Sequence, residues 1–161
     1  MKLTFALVAM LALAAPFVVA QDTADKPVTA DKQVKFDPTR DAAKDIAYGV
    51  ALAKKENKRV LLDVGGEWCP WCHKLDKMFK EDKEVAEYLK AKYVVIKINM
   101  SQENENKEVL SKYPEIPGYP HLFVLGQDGK LLRSQGTGDL ETGDHHDHEK
   151  VMTFLKKWAG E

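Results

Sequence analysis

Arg59-Val60-Leu61-Leu62-Asp63-Val64-Gly65-Gly66-Glu67-Trp68-Cys69-Pro70-Trp71-Cys72 decides how this chain reads. Residues 59–64 form a short β-branched and apolar run, interrupted only by Asp63, and read as a buried strand. Gly65-Gly66 breaks the strand. Pro70 suits the first turn of a helix, where its missing N–H costs nothing. Leu75, Met78 and Phe79 continue that helix at helical spacing. Strand, turn and helix therefore follow one another, with Cys69 at the joint.

Cys69 and Cys72 are the only two cysteines. A bond between them closes a loop so small that its chain-entropy contribution is roughly 2 kcal/mol, against about 3 kcal/mol for a fifteen-residue loop. This favours a pair that opens and closes in use over a purely structural bridge. At a helix start the Cys69 sulfur faces unpaired backbone N–H groups and the positive end of the helix dipole. Thiols in such places have pKa values of roughly 3.5 to 7.5, against about 8.5 when free. Cys72 lies on the same helix face, one turn deeper. Cys69 is the expected exposed nucleophile and Cys72 the thiol that resolves the mixed disulfide. Pro70 stiffens the turn. Trp68 and Trp71 are expected as apolar contact area beside the sulfurs, with a core position as the alternative for either.

Outward from this stretch, Asp37 reads as a helix N-cap with Pro38 at the first helical position. Ala43, Ile46, Val50 and Ala53 carry that helix to about residue 56. Val85, Tyr88 and Leu89 suggest a further helical piece. Residues 93–98 form an apolar strand whose odd member is Lys97, and residues 107–113 a short helix. Residues 122–125 and 130–134 read as a hairpin turned at Gln127-Asp128-Gly129. A glycine- and histidine-rich loop over residues 136–148 precedes a closing amphipathic helix marked by Val151, Phe154, Leu155 and Trp158. The order implies an α/β layer with a parallel part and a terminal hairpin.

Residues 1–20 start with Lys2, continue with an apolar run, and end with Val18 and Ala20 at the small-residue positions before a cleavage point. They read as a secretory signal peptide, residues 21–36 as a polar, flexible leader, and residues 37–161 as one domain. Export, to the periplasm or beyond, places the cysteines where a disulfide persists. The formal charge of −1 becomes −2 once Lys2 is removed, with both signs interspersed. Nothing in it calls for nucleic acid or an anionic membrane surface.

The chain resembles the thioredoxin family over residues 44–158. Residues 62–72 look like that family's strand, active-site turn and helix. The resemblance implies a thioredoxin-like α/β fold, a central mixed β-sheet with helices on both faces. It places Asp63 where the family has a buried carboxylate beneath the cysteine pair, and Lys97, in Val95-Ile96-Lys97-Ile98-Asn99, next to that carboxylate. It places Pro120, in Gly118-Tyr119-Pro120, at the family's cis-proline, where the Tyr119 backbone would meet an extended substrate beside Cys69. Burial favours a neutral Asp63 and a nearby Lys97 a charged one. Such a carboxyl suits the role of proton acceptor from Cys72, directly or through water. Trp68, Pro70, Trp71, Tyr119 and Pro120 form the expected substrate-binding set. The chain departs from the family in Pro70-Trp71 between the cysteines, where Gly-Pro is common, in Gly65-Gly66, and in Tyr119 before the proline.

The expected activity is thiol–disulfide exchange without metal or organic cofactor, in the direction of reducing disulfides of exported proteins. Electrons would come from a soluble or membrane-bound thiol donor, and the protein would act as a monomer. The direction rests on the absence of positive charge in Pro70-Trp71. Oxidase or isomerase activity on the same fold is the alternative, as is a non-catalytic binding module. Cys69-Pro70-Trp71-Cys72-His73 also satisfies the c-type haem attachment pattern, with His73 as iron ligand. Against that stand the upstream strand and the Asp63/Lys97 pairing. Asp144-His145-His146-Asp147-His148-Glu149 holds metal-ligand types without a second cluster. It reads as a solvated loop in which Asp147 caps the last helix, with a weak zinc or copper site on His145, His146 and His148 as the alternative.

Overall fold

The computed structural model describes residues 35–160. The expectations for residues 1–20 and for most of the leader lie outside them. Helix α1 spans Ala42–Glu56 and ends on Asn57, whose left-handed backbone (φ 55°) closes the last turn. Strand β1 (Arg59–Gly65) leads into α2 (Pro70–Glu81), then α3 (Lys83–Lys92) and strand β2 (Tyr93–Asn99). Helix α4 is the short Lys107–Leu110, and β3 (His121–Leu125) and β4 (Leu131–Gly136) form the hairpin. Thr137–Leu140 is a 3₁₀ turn, β5 (Glu141–Thr142) and β6 (His145–His146) a second, small hairpin, and α5 is His148–Trp158.

The sheet order is β2-β1-β3-β4, with β1 parallel to β2 and antiparallel to β3. This is the mixed sheet the sequence implies. Strands β1, β2 and β3 are largely apolar without alternation because both faces are covered, while the edge strand β4 is mostly exposed. Leu61, Leu122 and Val124 pack against α2, α3 and α5 through Leu75, Val85, Leu89, Val151 and Leu155. Val60, Leu62, Val64, Phe123 and Leu125 pack on the other face against Ala42 and Ala53 of α1.

Several local expectations change. Helix α1 starts after Asp41, not Asp37: the Asp37 carboxylate closes its own turn on Thr39, and Asp41 Oδ1 accepts from Lys44 N–H instead. The apolar stripe accordingly begins at Ala42 rather than at the exposed Ala43. Helix α4 stops at Leu110, and tighter turns, Lys112 N–H to the Val109 carbonyl and Tyr113 N–H to the Leu110 carbonyl, carry the chain to Pro114, beyond which no helix continues. The expected loop over residues 136–148 is built structure: β6 packs against α2. Asp147 does cap α5, accepting from Lys150 N–H at 3.1 Å.

Candidate active site

Cys69 is the N-cap of α2, with extended backbone (φ −99°, ψ 107°). Its sulfur accepts the Cys72 N–H at 3.1 Å, so it occupies the position of a capping oxygen. Cys69 and Cys72 are joined as a disulfide, with their Cα atoms 5.2 Å apart. The expected exposure of Cys69 is not found in this oxidised form. Only 3% of Cys69 meets solvent, because Phe36, Trp71 and Tyr119 pack around the sulfurs.

The turn before Cys69 needs both its glycines. A Cβ on Gly65 would stand 2.5 Å from Cys72 Sγ, so the strand end approaches the sulfur as only glycine can. A Cβ on Gly66 would stand 2.4 Å from Trp68 Nε1, which donates to the Met100 carbonyl at 2.7 Å. These contacts account for the departure at Gly65-Gly66.

Trp68 is 57% exposed and meets Tyr119 edge-on at 5.8 Å. Trp71 is half-buried, edge-on to His146 at 5.4 Å, with Lys74 Nζ 4.3 Å from its ring centroid. The Tyr119–Pro120 peptide bond is cis, and the Pro120 carbonyl accepts from Thr137 Oγ1 at 2.9 Å. A groove of about 490 Å³ beside Tyr119 is lined by Met100, Leu110, Tyr113 and Ile116, with Glu105 and Glu115 at its polar parts. His73 Nε2 donates to the Glu67 carbonyl at 2.8 Å.

Asp63 and Lys97 are register partners across β1 and β2. Lys97 Nζ lies 3.0 Å from Asp63 Oδ2 and 2.9 Å from Asp76 Oδ1. Asp63 is 1% exposed, and its Oδ1 has no hydrogen-bond partner. Burial pushes the Asp63 carboxyl above the ordinary carboxylate range, and the pull of Lys97 does not undo this. Burial opposes the charge on Lys97, but Asp63 and Asp76 together outweigh it and hold the ammonium above its usual range. Asp76 was not among the residues marked in the sequence. Its signal is its place four residues after Cys72, on the same helix face.

Phe36 was assigned to the leader, yet it is 2% exposed and packs with both sulfurs. Neither composition nor period marks a lone aromatic ahead of a helix cap.

The three histidines of the 144–149 segment go different ways. His145 is exposed, and His148 Nδ1 lies 2.7 Å from Asp82 Oδ2. His146 is buried against Trp71, which corrects the expectation of a solvated loop there. Among the described residues no three His, Cys, Asp or Glu side chains gather as a metal cage. Among them also, no helix is long and apolar enough to cross a membrane.

The thiol:disulfide interchange protein DsbD of Actinobacillus pleuropneumoniae serotype 5b is 31% identical over 91 residues, 56% of this chain and 15% of that protein. The DsbD of Pseudomonas sp. (strain JR1 / K1) is 31% identical over 109 residues, 66% of this chain and 17% of its own. The chain thus spans only a small part of the curated relatives it matches. Among solved structures, a disulphide isomerase from Xylella fastidiosa Temecula1 superposes with a TM-score of 0.67 at 26% identity, covering 76% of this chain and 94% of that one. The C-terminal domain of Neisseria meningitidis DsbD, in its reduced form, shares the fold at a TM-score of 0.54 and 21% identity, over 73% of this chain and 96% of that one. A family model described as thioredoxin-like matches residues 41–127, from the α1 cap to the turn after β3. That is more than half of the 161 residues, and the chain belongs to the thioredoxin-like family.

Proposed function

We propose that this protein is an exported thiol–disulfide oxidoreductase that reduces disulfides of exported proteins through Cys69 and Cys72. The observation that carries the reading is the disulfide at the α2 N-cap with the Asp63–Lys97 pair in the strands behind it. The likeness to thiol:disulfide interchange proteins and to a disulphide isomerase supports the chemistry.

In the reduced protein, the Cys69 thiolate attacks one sulfur of a substrate disulfide. A Cys69–substrate bond forms, the substrate S–S bond breaks, and the departing sulfur leaves as a thiolate that takes a proton from water. The Cys72 thiol then gives its proton to Asp63 and attacks Cys69. The Cys69–Cys72 bond forms, the Cys69–substrate bond breaks, and the second substrate sulfur leaves and is protonated. Two electrons pass from the dithiol to the substrate, and a thiol donor, soluble or membrane-bound, restores the dithiol. Lys97 tunes the carboxyl of Asp63.

An extended peptide docks on the Tyr119 backbone beside Pro120, with Trp68, Pro70 and Trp71 as apolar contacts. The groove past Tyr119 takes a neighbouring apolar side chain. Residues 1–20 act as the export signal, residues 21–36 as a leader whose last residue, Phe36, packs onto the domain, and residues 37–161 as a single monomeric domain. The isomerase reading has one observation in its favour, the disulphide isomerase at 26% identity.

Insulin reduction with Cys69→Ser as control tests the activity, and equal turnover of the two proteins would refute it. The equilibrium potential of the Cys69–Cys72 pair against glutathione tests the direction. A value near the oxidising end of the family range, about −120 mV, would reverse it.

A further inference from the structure

Phe36 forms part of the reaction chamber from outside the strand–turn–helix stretch. Its ring and the Cys72 sulfur crowd the same point over Gly65: a Cβ there would stand 3.0 Å from Phe36 Cζ and 2.5 Å from Cys72 Sγ. Lys97 Nζ lies 4.2 Å from the ring centroid, a distance at which the aromatic face attracts the ammonium. One ring therefore lies against the resolving sulfur on one side and against the cation paired with Asp63 on another.

The ring is held in place. Phe36 N–H donates to Glu67 Oε1 at 2.8 Å, on the turn that leads to Cys69. Further along, Asn104 Nδ2 donates to the Pro38 carbonyl at 2.9 Å. Water approaches the cluster elsewhere: a groove of about 610 Å³ along β2 has Lys97 and Asp76 in its lining, but not Asp63 or Cys72. The front between solvent and the dry side thus falls at Lys97, and Phe36 stands on the dry side.

We infer that Phe36 is a positioning residue for the resolving step, a wall that closes the sulfur side of the chamber to water so that the proton leaving Cys72 passes to Asp63 rather than to solvent. This rests on the thiol–disulfide reading above. The groups facing Asp63 are Lys97 from β2, and Asp76 and Lys80 from α2. Removing the ring leaves those charges in place, admits water and removes the ring's attraction for the Lys97 ammonium, a loss that Phe36→Leu shares while keeping the wall.

The test uses the full chain in its reduced form. The Asp63 carboxyl carbon is titrated by NMR in the wild type, in Phe36→Ala and in Phe36→Leu, with Asp63→Asn to assign the signal. In Phe36→Ala the midpoint falls by about one unit, as water relieves the burial. Phe36→Leu, which keeps an apolar wall, stays near the wild type. In stopped flow, resolution of a Cys69 mixed disulfide slows by about tenfold in Phe36→Ala and recovers in Phe36→Leu. An unchanged Asp63 midpoint in Phe36→Ala overturns the inference. Should Phe36→Ala fail to fold, Glu67→Ala, which removes the hydrogen bond to the Phe36 N–H and keeps the ring, decides it by the same midpoint: a fall supports the wall, no change removes it. Asp63→Asn resolving at the wild-type rate would instead remove Asp63 from the proposed mechanism, while the titration still decides the role of Phe36.

Discussion

Gly65 and Cys72 meet so closely that the strand end and the resolving sulfur share one van der Waals boundary: a Cβ on Gly65 would overlap Cys72 Sγ at 2.5 Å. The neighbour is a sulfur fixed in a disulfide, and Phe36 Cζ closes the other side at 3.0 Å, so neither can swing away. Gly65→Ala is therefore expected to destabilise the oxidised protein by about 1–3 kcal/mol, as overpacked cores do. Reduction frees the Cys72 side chain to turn, so the loss should shrink in the dithiol form. Urea unfolding of both redox forms measures the difference. An equal loss in the two would mean that the strain lies in the backbone.

Asp63→Asn carries a prediction for stability apart from catalysis. The folded-state pKa of Asp63 is raised above the ordinary carboxyl value of 3.8, chiefly by burial. The folded protein then holds this proton more tightly than the unfolded chain does. The resulting stability is fully present below pH 3.8 and is lost as pH rises through the raised value. Asp63→Asn should flatten that decline. The wild type minus variant difference in unfolding midpoint, followed from pH 4 upward, should fall with pH. A difference that stays level would show that Lys97 holds Asp63 ionised throughout.

The sheet, its order of elements and the cysteine pair were legible because each rests on local signals: apolar runs, a helix-start proline, a cysteine spacing. Asp63 and Lys97 were legible as charged residues inside apolar strands, and the register between β1 and β2 brings them opposite one another. Asp76 and Phe36 were not. Asp76 lies on a helix face where an acidic residue is ordinary, and its partner Lys97 is on a strand that forms only in the tertiary fold. Phe36 sits in a polar stretch, and its burial depends on Glu67 holding its backbone across the chain. The β5–β6 hairpin was hidden for a related reason: two-residue strands have no period, and glycines and histidines read as loop.

Trp68 is placed for contact rather than for core packing. It is 57% exposed, yet its indole is fixed by the Met100 carbonyl and by Tyr119. Trp68→Ala should raise KM for a protein disulfide several-fold and leave kcat nearly unchanged, since uniform binding is what is lost. A small disulfide with no peptide, reduced at equal rates by both proteins, is the control. A fall in kcat of the same size for both substrates would place Trp68 in the chemistry instead.

His146 and His148, two residues apart in the sequence, should respond to pH with opposite signs. His148 donates to Asp82, whose other oxygen accepts from Val85 N–H at the start of α3, so one carboxylate ties α5 to the α2–α3 corner. The hydrogen bond to Asp82 raises the pKa of His148, and the same bond lowers that of Asp82. The clamp is therefore fully present below the ordinary histidine value of 6.5 and is lost as pH rises through the raised pKa. It also weakens in acid, when Asp82 takes a proton. His146 is buried, and desolvation, with Lys74 and His145 adding to it, pushes its pKa down to about 4. Its neutral ring contributes above 6.5, and that contribution drains away as pH falls from 6.5 towards 4. His148→Ala should lose stability near pH 5.5 and little at pH 8.5. His146→Phe keeps a ring against Trp71 and should gain on the wild type as pH drops below 6.5. Trp71 fluorescence in a Trp68→Phe, Trp158→Phe background reads the second event directly, because a protonated imidazole in edge contact quenches an indole. If quenching appears near pH 6.5 rather than near 4, His146 is reached by water, and the β5–β6 hairpin does not hold closed over α2.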